Sequence, residues 1–264
     1  MKIFLNNKFV KASKAKISIL EQGYQYGYGV FDTLRTYNGK ISNIDAHLKR
    51  LYNSAKKINL EIPLSKKEIK NDVNKLIKKN DIKNKKIKIM VAKGIKKSTI
   101  SIVFSNMNKY EPIIYKKGVS VITTKYQRTL PDIKSMNYLP CLLAIEESKK
   151  KNAFEALLID NNQKITEGTF SNLFIVKNDK LITAKDNVLK GITRHIVLKL
   201  AKPIFKKIVL KNLSKEEIYK ADEAFLSVTT GEIIPISSID NRKIKIGKYT
   251  KIIADKYKKH IKNA

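Results

Sequence analysis

The stretch Ile133-Lys134-Ser135-Met136-Asn137-Tyr138-Leu139 holds a lysine in apolar surroundings. Its apolar neighbours are Ile133, Met136 and Leu139, and the next charged residue after it in the chain is Glu146. An apolar setting disfavours the ammonium form, lowers the pKa of the amine and makes it a better nucleophile. A typical lysine in this chain is expected to be a solvated surface charge, so its context sets Lys134 apart.

A second stretch, Thr166-Glu167-Gly168-Thr169-Phe170-Ser171-Asn172, supplies a carboxylate. A lysine that forms a Schiff base and an acid that keeps a pyridine nitrogen protonated are the two groups that pyridoxal 5′-phosphate (PLP) requires. With both in place, the ring can accept electrons from a substrate carbanion. Lys134 and Glu167 are therefore candidates for these two roles.

Four motifs together resemble the fold type IV, or class IV, PLP enzymes: branched-chain aminotransferases, D-amino-acid aminotransferases and aminodeoxychorismate lyases. They are the stretch 133–139, Ile165 to Phe174, Leu189 to Arg194 and Ala221 to Phe225. The resemblance extends over nearly the whole chain. It implies a two-domain α+β fold like that of D-amino-acid aminotransferases, with a smaller N-terminal α/β domain and a larger C-terminal mixed α/β domain that binds PLP. It also implies a homodimer.

The hydrophobic pattern breaks at Pro112 and Gly118, which places the predicted domain boundary between residues 1–115 and 116–264. The first domain is predicted to contain strands at 3–10, 30–37 and 87–91 and helices at 44–58 and 65–79. The second is predicted to contain a strand from Val119, hairpins at Asn161-Asn162 and Asn178-Asp179, and helices near 139–151, 193–202 and 214–220.

The resemblance also assigns cofactor contacts beyond Lys134 and Glu167. Arg50 is expected to hold the cofactor phosphate, together with Ile192 and Thr193 at a helix start and with Thr230. Leu189 is expected to pack on the ring, and Tyr138 to donate to the ring 3-oxygen. Two alternatives stay open: Arg50 as an arginine at a domain edge that buries only its stem, and Thr193 as an ordinary helix N-cap.

Substrate contacts are expected on the strand at 30–37, which lines the pocket in the family. Its period of two puts Phe31 and Arg35 on one face. Phe31 is expected to form an apolar wall, and Arg35 to bind the substrate carboxylate, helped by the amides around Thr229 and by Arg128. An ion pair with a nearby acid is the alternative for Arg35.

The family motifs do not separate transamination from lyase chemistry. A branched-chain L-amino acid with a 2-oxo acid such as 2-oxoglutarate is the favoured substrate pair, because Phe31 is apolar and the loop Ala92 to Thr99 lacks the Arg-x-His of D-specific enzymes. Aminodeoxychorismate lyase and D-amino-acid aminotransferase are the alternatives. A basic binding protein without enzymatic activity ranks last.

Composition excludes several other classes of protein. The formal net charge of +32 comes from lysines spread over the whole chain, and tryptophan is absent, which argues against nucleic-acid binding. One cysteine, Cys141, and three histidines favour neither a disulfide nor a metal site. No apolar run suits a membrane span or a signal peptide, so a cytoplasmic protein that binds small-molecule substrates is expected.

Overall fold

The computed structural model describes residues 1–107 and 110–262. The chain forms two compact units. Unit 1 consists of Met1–Asn108 and Ile133–Asn137, and unit 2 consists of Lys109–Asp132 and Tyr138–Ala264. The last two residues of the predicted second domain, 263 and 264, lie outside the described part.

In its described residues, unit 1 is an antiparallel sheet of six strands covered by helices. Its elements are β1 (Lys2–Leu5), β2 (Lys8–Lys11), α1 (Gln22–Tyr26), β3 (Gly29–Tyr37), β4 (Lys40–Ile41), α2 (Ile44–Lys57), α3 (Lys66–Lys79), β5 (Lys86–Ala92) and β6 (Thr99–Ser105). The strand order is β2-β1-β6-β5-β3-β4. Leu48, Leu51 and Ala55 form the apolar stripe of α2, and they pack in one core with β3 and β5 residues.

The described part of unit 2 is built on a nine-stranded mixed sheet. Its elements are α4 (Ile113–Lys117), β7 (Val119–Thr124), α5 (Leu139–Lys150), β8 (Glu155–Ile159), β9 (Ile165–Gly168), β10 (Asn172–Lys177), β11 (Lys180–Thr183), α6 (Ile192–Ala201), β12 (Lys207–Leu210), α7 (Lys215–Tyr219), β13 (Glu223–Val228), β14 (Glu232–Ile239), β15 (Arg242–Lys243) and α8 (Lys248–Lys262). The strand order is β12-β11-β10-β13-β14-β7-β8-β9, and β15 pairs with β14. The β8 strand is buried throughout, as a strand inside a covered sheet should be.

The segment 3–10 differs from its prediction as one strand. The chain turns at Asn6 and Asn7, and β1 and β2 pair as an antiparallel hairpin with Leu5 opposite Lys8. Both asparagines have positive φ, 45° and 65°. Asparagine tolerates this left-handed conformation better than most residues, so Asn-Asn was a turn signal inside an apolar run.

The segment Ile133–Asn137 falls within the predicted second domain, 116–264, but in the structure it is part of unit 1. It belongs to unit 1, because it runs antiparallel to the start of β3 through a bridge between Val30 and Ser135. The backbone N–H of Phe31 donates to the Lys134 carbonyl at 2.9 Å, and that of Met136 donates to the Gly29 carbonyl at 2.8 Å. Pairing between residues so distant in sequence leaves no local signal.

Among residues 1–107 and 110–262, no helix has the length and apolar character needed to cross a membrane. The same residues contain no group of three His, Cys, Asp or Glu side chains placed to hold a metal ion.

Candidate active site

Lys134 is fixed by its backbone against the first residues of β3. Its carbonyl accepts from Phe31, and its own N–H donates to the Ser54 hydroxyl on α2 at 3.3 Å. The side chain places Nζ 4.9 Å from the centroid of the Phe31 ring. Phe31 is buried, so the amine rests on an apolar surface instead of extending into solvent. Two backbone anchors and an aromatic ring therefore hold the lysine that the sequence singled out.

Arg50 projects from α2 onto Asp32, a fully buried carboxylate in the middle of β3. Arg50 donates from Nε to Oδ2 at 2.8 Å and from Nη2 to Oδ1 at 2.7 Å, and His47 Nδ1 lies 2.7 Å from the same Oδ1. Burial would raise the pKa of Asp32, but the Arg50 guanidinium and His47 outweigh it and hold that pKa below its usual value. Burial lowers the pKa of His47, although Asp32 opposes that shift.

The geometry leaves one edge of the Arg50 guanidinium for a ligand. Asp32 occupies Nε and Nη2, and no group in the described part of the chain accepts a hydrogen bond from Nη1. The side chain is 13% exposed, which excludes the alternative of an arginine whose head is in solvent. A guanidinium oriented by a buried carboxylate is well suited to bind phosphate.

The opposite face of β3 carries the predicted substrate residues. Arg35 lies with Cζ 4.2 Å from the centroid of the Tyr37 ring. On β5, Lys88 pairs in register with Thr33 and places its Nζ 4.4 Å from the Phe31 ring centroid. Burial, helped by Lys86, lowers the pKa of Lys88. Two amines, those of Lys88 and Lys134, therefore lie within 5 Å of one ring. The sequence did not reveal Lys88, because its place depends on strand register.

Glu167 in unit 2 is 3% exposed and has partners on both oxygens. Its Oε1 lies 3.3 Å from Nη1 of Arg128. Its Oε2 accepts from Nδ2 of Asn172 at 3.3 Å and from the backbone N–H of Leu189 at 3.2 Å. Arg128, which the sequence associated with the substrate carboxylate, is thus a partner of Glu167. Both are buried, so the ion pair is only weakly screened by water.

A second buried arginine lies in the same electrostatic environment. Burial lowers the pKa of Arg194, and interaction with Glu167 opposes that shift. Its Nη2 donates to the Ala184 carbonyl at 2.7 Å. Glu167 and Arg128 also line a cavity of about 420 Å³ with Thr166 and Asn187. The Glu167 carboxylate is therefore paired with one arginine, interacts with a second, and borders a cavity.

The helix α6 begins at Ile192, and its N-cap is Gly191, which offers no side-chain cap. Thr193 lies inside the first turn and is buried, so the alternative that Thr193 is an ordinary N-cap is wrong. The first amides of a helix have no acceptor within it and point outward, where the helix dipole favours an anion. The segment 191–193 therefore provides donors suited to a phosphate.

Tyr138 and Thr230 make other contacts in unit 2. The Tyr138 hydroxyl donates to the Thr169 carbonyl, and burial raises its pKa. Its predicted bond to the ring 3-oxygen stays a prediction and would require that hydroxyl to reorient. The Thr230 hydroxyl is 3.5 Å from that of Tyr110, in the turn between β13 and β14 that also holds Thr229.

The structure thus groups the predicted residues within each unit. Unit 1 brings Lys134 to Phe31, while Arg50 is held on Asp32 and Arg35 stacks on Tyr37. Unit 2 brings Glu167 to Leu189. Sequence reasoning missed the supporting residues Asp32, His47, Lys88 and Asn172. No local signal pointed to these four residues. The scarcity of arginine, five among 55 basic residues, was a signal only for Arg128, which pairs with Glu167, and for Arg194, which interacts with it.

Comparisons with known proteins agree with this mixed α/β fold. The family model Amino-transferase class IV matches residues 29–239. The putative branched-chain-amino-acid aminotransferase of Methanocaldococcus jannaschii is 36% identical and covers 98% of this chain and 96% of the relative. The D-alanine aminotransferase of Bacillus licheniformis is 33% identical, with 94% and 91% covered. The branched-chain aminotransferase of Thermoproteus uzoniensis, solved with norvaline, superposes with a TM-score of 0.91 at 28% identity, covering 98% of this chain and 94% of that structure.

The chain belongs to the class IV aminotransferases, a PLP-dependent family. It is an aminotransferase with the fold type IV architecture. Its own residues fit PLP on three counts: an amine on an apolar ring at Lys134, a buried acid flanked by cations at Glu167, and an arginine with one unused donor edge at Arg50.

Proposed function

We propose that this aminotransferase carries PLP on Lys134 and moves an amino group between an amino acid and a 2-oxo acid. The observation that carries the proposal is the Lys134 amine on the Phe31 ring, with its backbone anchored to β3 and α2. Bound PLP would supply an electron sink for the carbanion formed at the substrate Cα. The Lys134 amine would serve as the base that takes the proton from the substrate Cα and later returns it.

The other residues hold the cofactor in place. Glu167, paired with Arg128 and interacting with Arg194, would face the ring nitrogen and keep it protonated. Arg50 would bind the phosphate through Nη1, and Ile192, Thr193 and Thr230 would provide further donors. Leu189 would pack on the ring, and Tyr138 would donate to the 3-oxygen.

Lys88 provides a control for the assignment of Lys134 as the PLP-binding lysine, because the amines of both residues lie on the Phe31 ring. Purified protein incubated with PLP should absorb visible light. Borohydride reduction and peptide mapping should then place the pyridoxyl group on Lys134. Lys88→Ala should retain the label at Lys134, and Lys134→Ala should lose it. A label on Lys88 in the wild type would contradict the assignment.

The variant Glu167→Gln tests the proposed role of Glu167 beside the ring nitrogen. The variant should still bind PLP but turn over about a hundredfold more slowly or worse, because the ring nitrogen loses its charged partner. The matched control is Glu146→Gln, which neutralises an exposed glutamate on α5 that pairs with Lys149. Turnover of Glu167→Gln close to that of the control would show Glu167 to be structural.

The proposed substrates are branched-chain or small aliphatic L-amino acids with 2-oxoglutarate as acceptor. Support comes from the branched-chain relative and from Phe31 as an apolar wall. Carboxylate groups would be bound by Arg35, by the amides near Thr229 and by Lys88. In the described part of the chain Lys88 has no acidic partner, and it is half buried. A partly desolvated ammonium without a counter-ion favours an anionic ligand.

Donor assays decide among the substrate classes. L-leucine, L-valine, D-alanine and aminodeoxychorismate should be compared, with Lys88→Ala and Arg35→Ala beside the wild type. We expect L-leucine or L-valine to be fastest, and Lys88→Ala to raise the KM for 2-oxoglutarate more than that for leucine. D-alanine is the second candidate because of the D-alanine aminotransferase relative. Faster turnover of D-alanine, or pyruvate release from aminodeoxychorismate without an acceptor, would overturn the L-amino-acid proposal.

We also propose a homodimer. Unit 1 exposes Ile17, Ile19, Leu20, Tyr24 and Tyr26 within ten residues of sequence, and unit 2 exposes Leu139, Leu142 and Leu143. Clusters of exposed apolar side chains mark surfaces that another protein covers. Light scattering should give twice the chain mass. A cytoplasmic location is proposed with it, supported by the single cysteine.

A further inference from the structure

We propose that Asn172 is a positioning residue, which ties the Glu167 carboxylate to the segment that begins α6. The proposal rests on the function proposed above, because it concerns how the protein aligns the ring and phosphate ends of PLP. Asn172 is the first residue of β10 and is buried. It has no part in the chemistry assigned to the site so far.

Both N–H groups of the Asn172 amide have acceptors. Nδ2 lies 3.3 Å from Oε2 of Glu167 and 2.9 Å from the carbonyl of Leu189. The backbone N–H of Leu189 donates to the same Glu167 oxygen, Oε2, at 3.2 Å. One carboxamide thus links the acid to the main chain of Leu189, three residues before α6 begins.

The carbonyl end of the same amide lies against Gly191. A Cβ built on Gly191 would collide with Oδ1 of Asn172, although the φ of this glycine is ordinary for any residue. Close approach of the asparagine, not backbone conformation, therefore explains the glycine. Asn172 contacts the acid at one end and the N-cap of α6 at the other.

A purely structural role in the neighbouring turn does not account for these contacts. The turn from β9 to β10 is held by Glu155, which accepts from the Thr169 hydroxyl, the Phe170 N–H and the Ser171 hydroxyl. The Asn172 side chain takes no part in that set and extends to Leu189 and Gly191 instead. Its function is therefore to hold Glu167 and the start of α6 at a fixed separation.

Only a carboxamide satisfies this geometry. Aspartate at 172 has nearly the same shape, but its ionised form donates no hydrogen bond and adds a second negative charge beside Glu167. Leucine has similar volume and no donor. The charged groups that face position 172 are Glu167 and, through it, Arg128 and Arg194.

The test compares Asn172→Asp and Asn172→Leu with Asn212→Leu. Asn212 also makes three hydrogen bonds in unit 2, but to backbone groups of Lys185 and Asp186. Affinity is measured by titration with PLP and with pyridoxal, which lacks the phosphate. Melting temperatures of the proteins without added PLP report any general loss of structure.

We expect Asn172→Leu to weaken PLP binding by about tenfold or more and pyridoxal binding by much less, because misalignment removes the advantage of binding both ends at once. Asn172→Asp should bind PLP weakly at pH 8 and recover as the pH falls, since the introduced carboxyl group can donate again once it is protonated. Asn212→Leu should lower the melting temperature without changing the ratio of the two affinities.

The proposal is overturned if Asn172→Leu keeps the wild-type ratio of PLP to pyridoxal affinity, or if PLP binding to Asn172→Asp has the wild-type pH dependence. A wild-type protein that does not bind PLP would instead refute the proposed function, so the two failures are distinguishable.

Discussion

Glu155 is fully buried on β8, and its carboxylate accepts hydrogen bonds from three groups of the turn at 169–171. Burial raises the pKa of Glu155 to about 7, although these hydrogen bonds oppose the shift. The unfolded chain would lose this proton near the ordinary glutamate pKa of 4.5, at a lower pH than the folded protein does. Between these two pH values the unfolded state gains stability relative to the folded one.

The stability contribution of Glu155 should therefore be complete below pH 4.5 and be lost as the pH rises to about 7. The difference in unfolding free energy between wild type and Glu155→Gln should change over this range by about 3 kcal/mol. Urea unfolding at pH 5 and pH 8 measures it. His47 acts in the opposite direction, since its lowered pKa costs stability as the pH falls, so only the difference between variants is diagnostic.

The exposed Glu146 provides the control for this measurement. Its pKa is lowered by Lys149, so Glu146→Gln should leave the change between pH 5 and pH 8 as it is in the wild type. Equal pH dependence in wild type and Glu155→Gln would show that the Glu155 carboxyl does not titrate in this range.

Arg50 and Asp32 should behave as one unit in phosphate binding. Arg50→Ala removes a donor and should weaken PLP binding by about 1.5–3 kcal/mol. Asp32→Asn leaves the donor but no longer fixes its orientation, so PLP affinity should fall by about tenfold. The double variant should lose less PLP-binding free energy than the sum of the losses in the two single variants. Additive losses, measured by PLP titration, would mean that Asp32 and Arg50 act independently.

At the scale of elements, α3 depends on a capping box in which Ser65 accepts from the Glu68 N–H and Glu68 accepts from the Ser65 N–H. Ser65→Ala should lower the free energy of unfolding by about 1 kcal/mol, because an amide of the first turn loses its acceptor. Ser65→Thr keeps a hydroxyl and should lose much less. Urea unfolding of both variants measures the effect, and equal losses would argue against a capping role.

Elements with such local signals were predictable from sequence. The helices predicted at 44–58 and 65–79 are observed at Ile44–Lys57 and Lys66–Lys79, because apolar period and caps lie within each segment. The helix Lys248–Lys262 was not predicted. Its buried Ile253, Tyr257 and Ile261 recur every four residues, but the lysines between them obscured the pattern.

The residues of the candidate site also divide into those with a local sequence signal and those without one. The sequence named Lys134 and Glu167, which lie in recognisable motifs, whereas it gave no role to Asp32, Lys88 or Asn172. Their roles come from strand register and from packing between distant segments: Asp32 reaches α2, Lys88 pairs opposite Thr33, and Asn172 reaches Leu189. Local pattern contains no information about such contacts.

At the scale of the whole molecule, the net charge of +32 should make stability depend on salt. The 55 basic residues exceed the 23 acidic ones, and surface ion pairs such as Lys70 with Asp45 neutralise only a minority of the lysines. The excess positive charge repels itself in the folded state more than in the expanded unfolded chain. At about 0.1 M ionic strength the Debye length is roughly 10 Å, so salt screens much of this repulsion.

The urea midpoint at pH 7 should therefore rise as NaCl is increased from about 0.02 to 0.3 M, with most of the gain at the low end, where the Debye length changes most. Sodium gluconate at equal ionic strength should give the same gain, because screening does not depend on the identity of a monovalent anion. A gain with one salt alone would indicate binding of that anion to particular sites. Salt weakens ion pairs as well as repulsion. A midpoint that falls with both salts would mean that the ion pairs stabilise the fold by more than the repulsion among the lysines destabilises it.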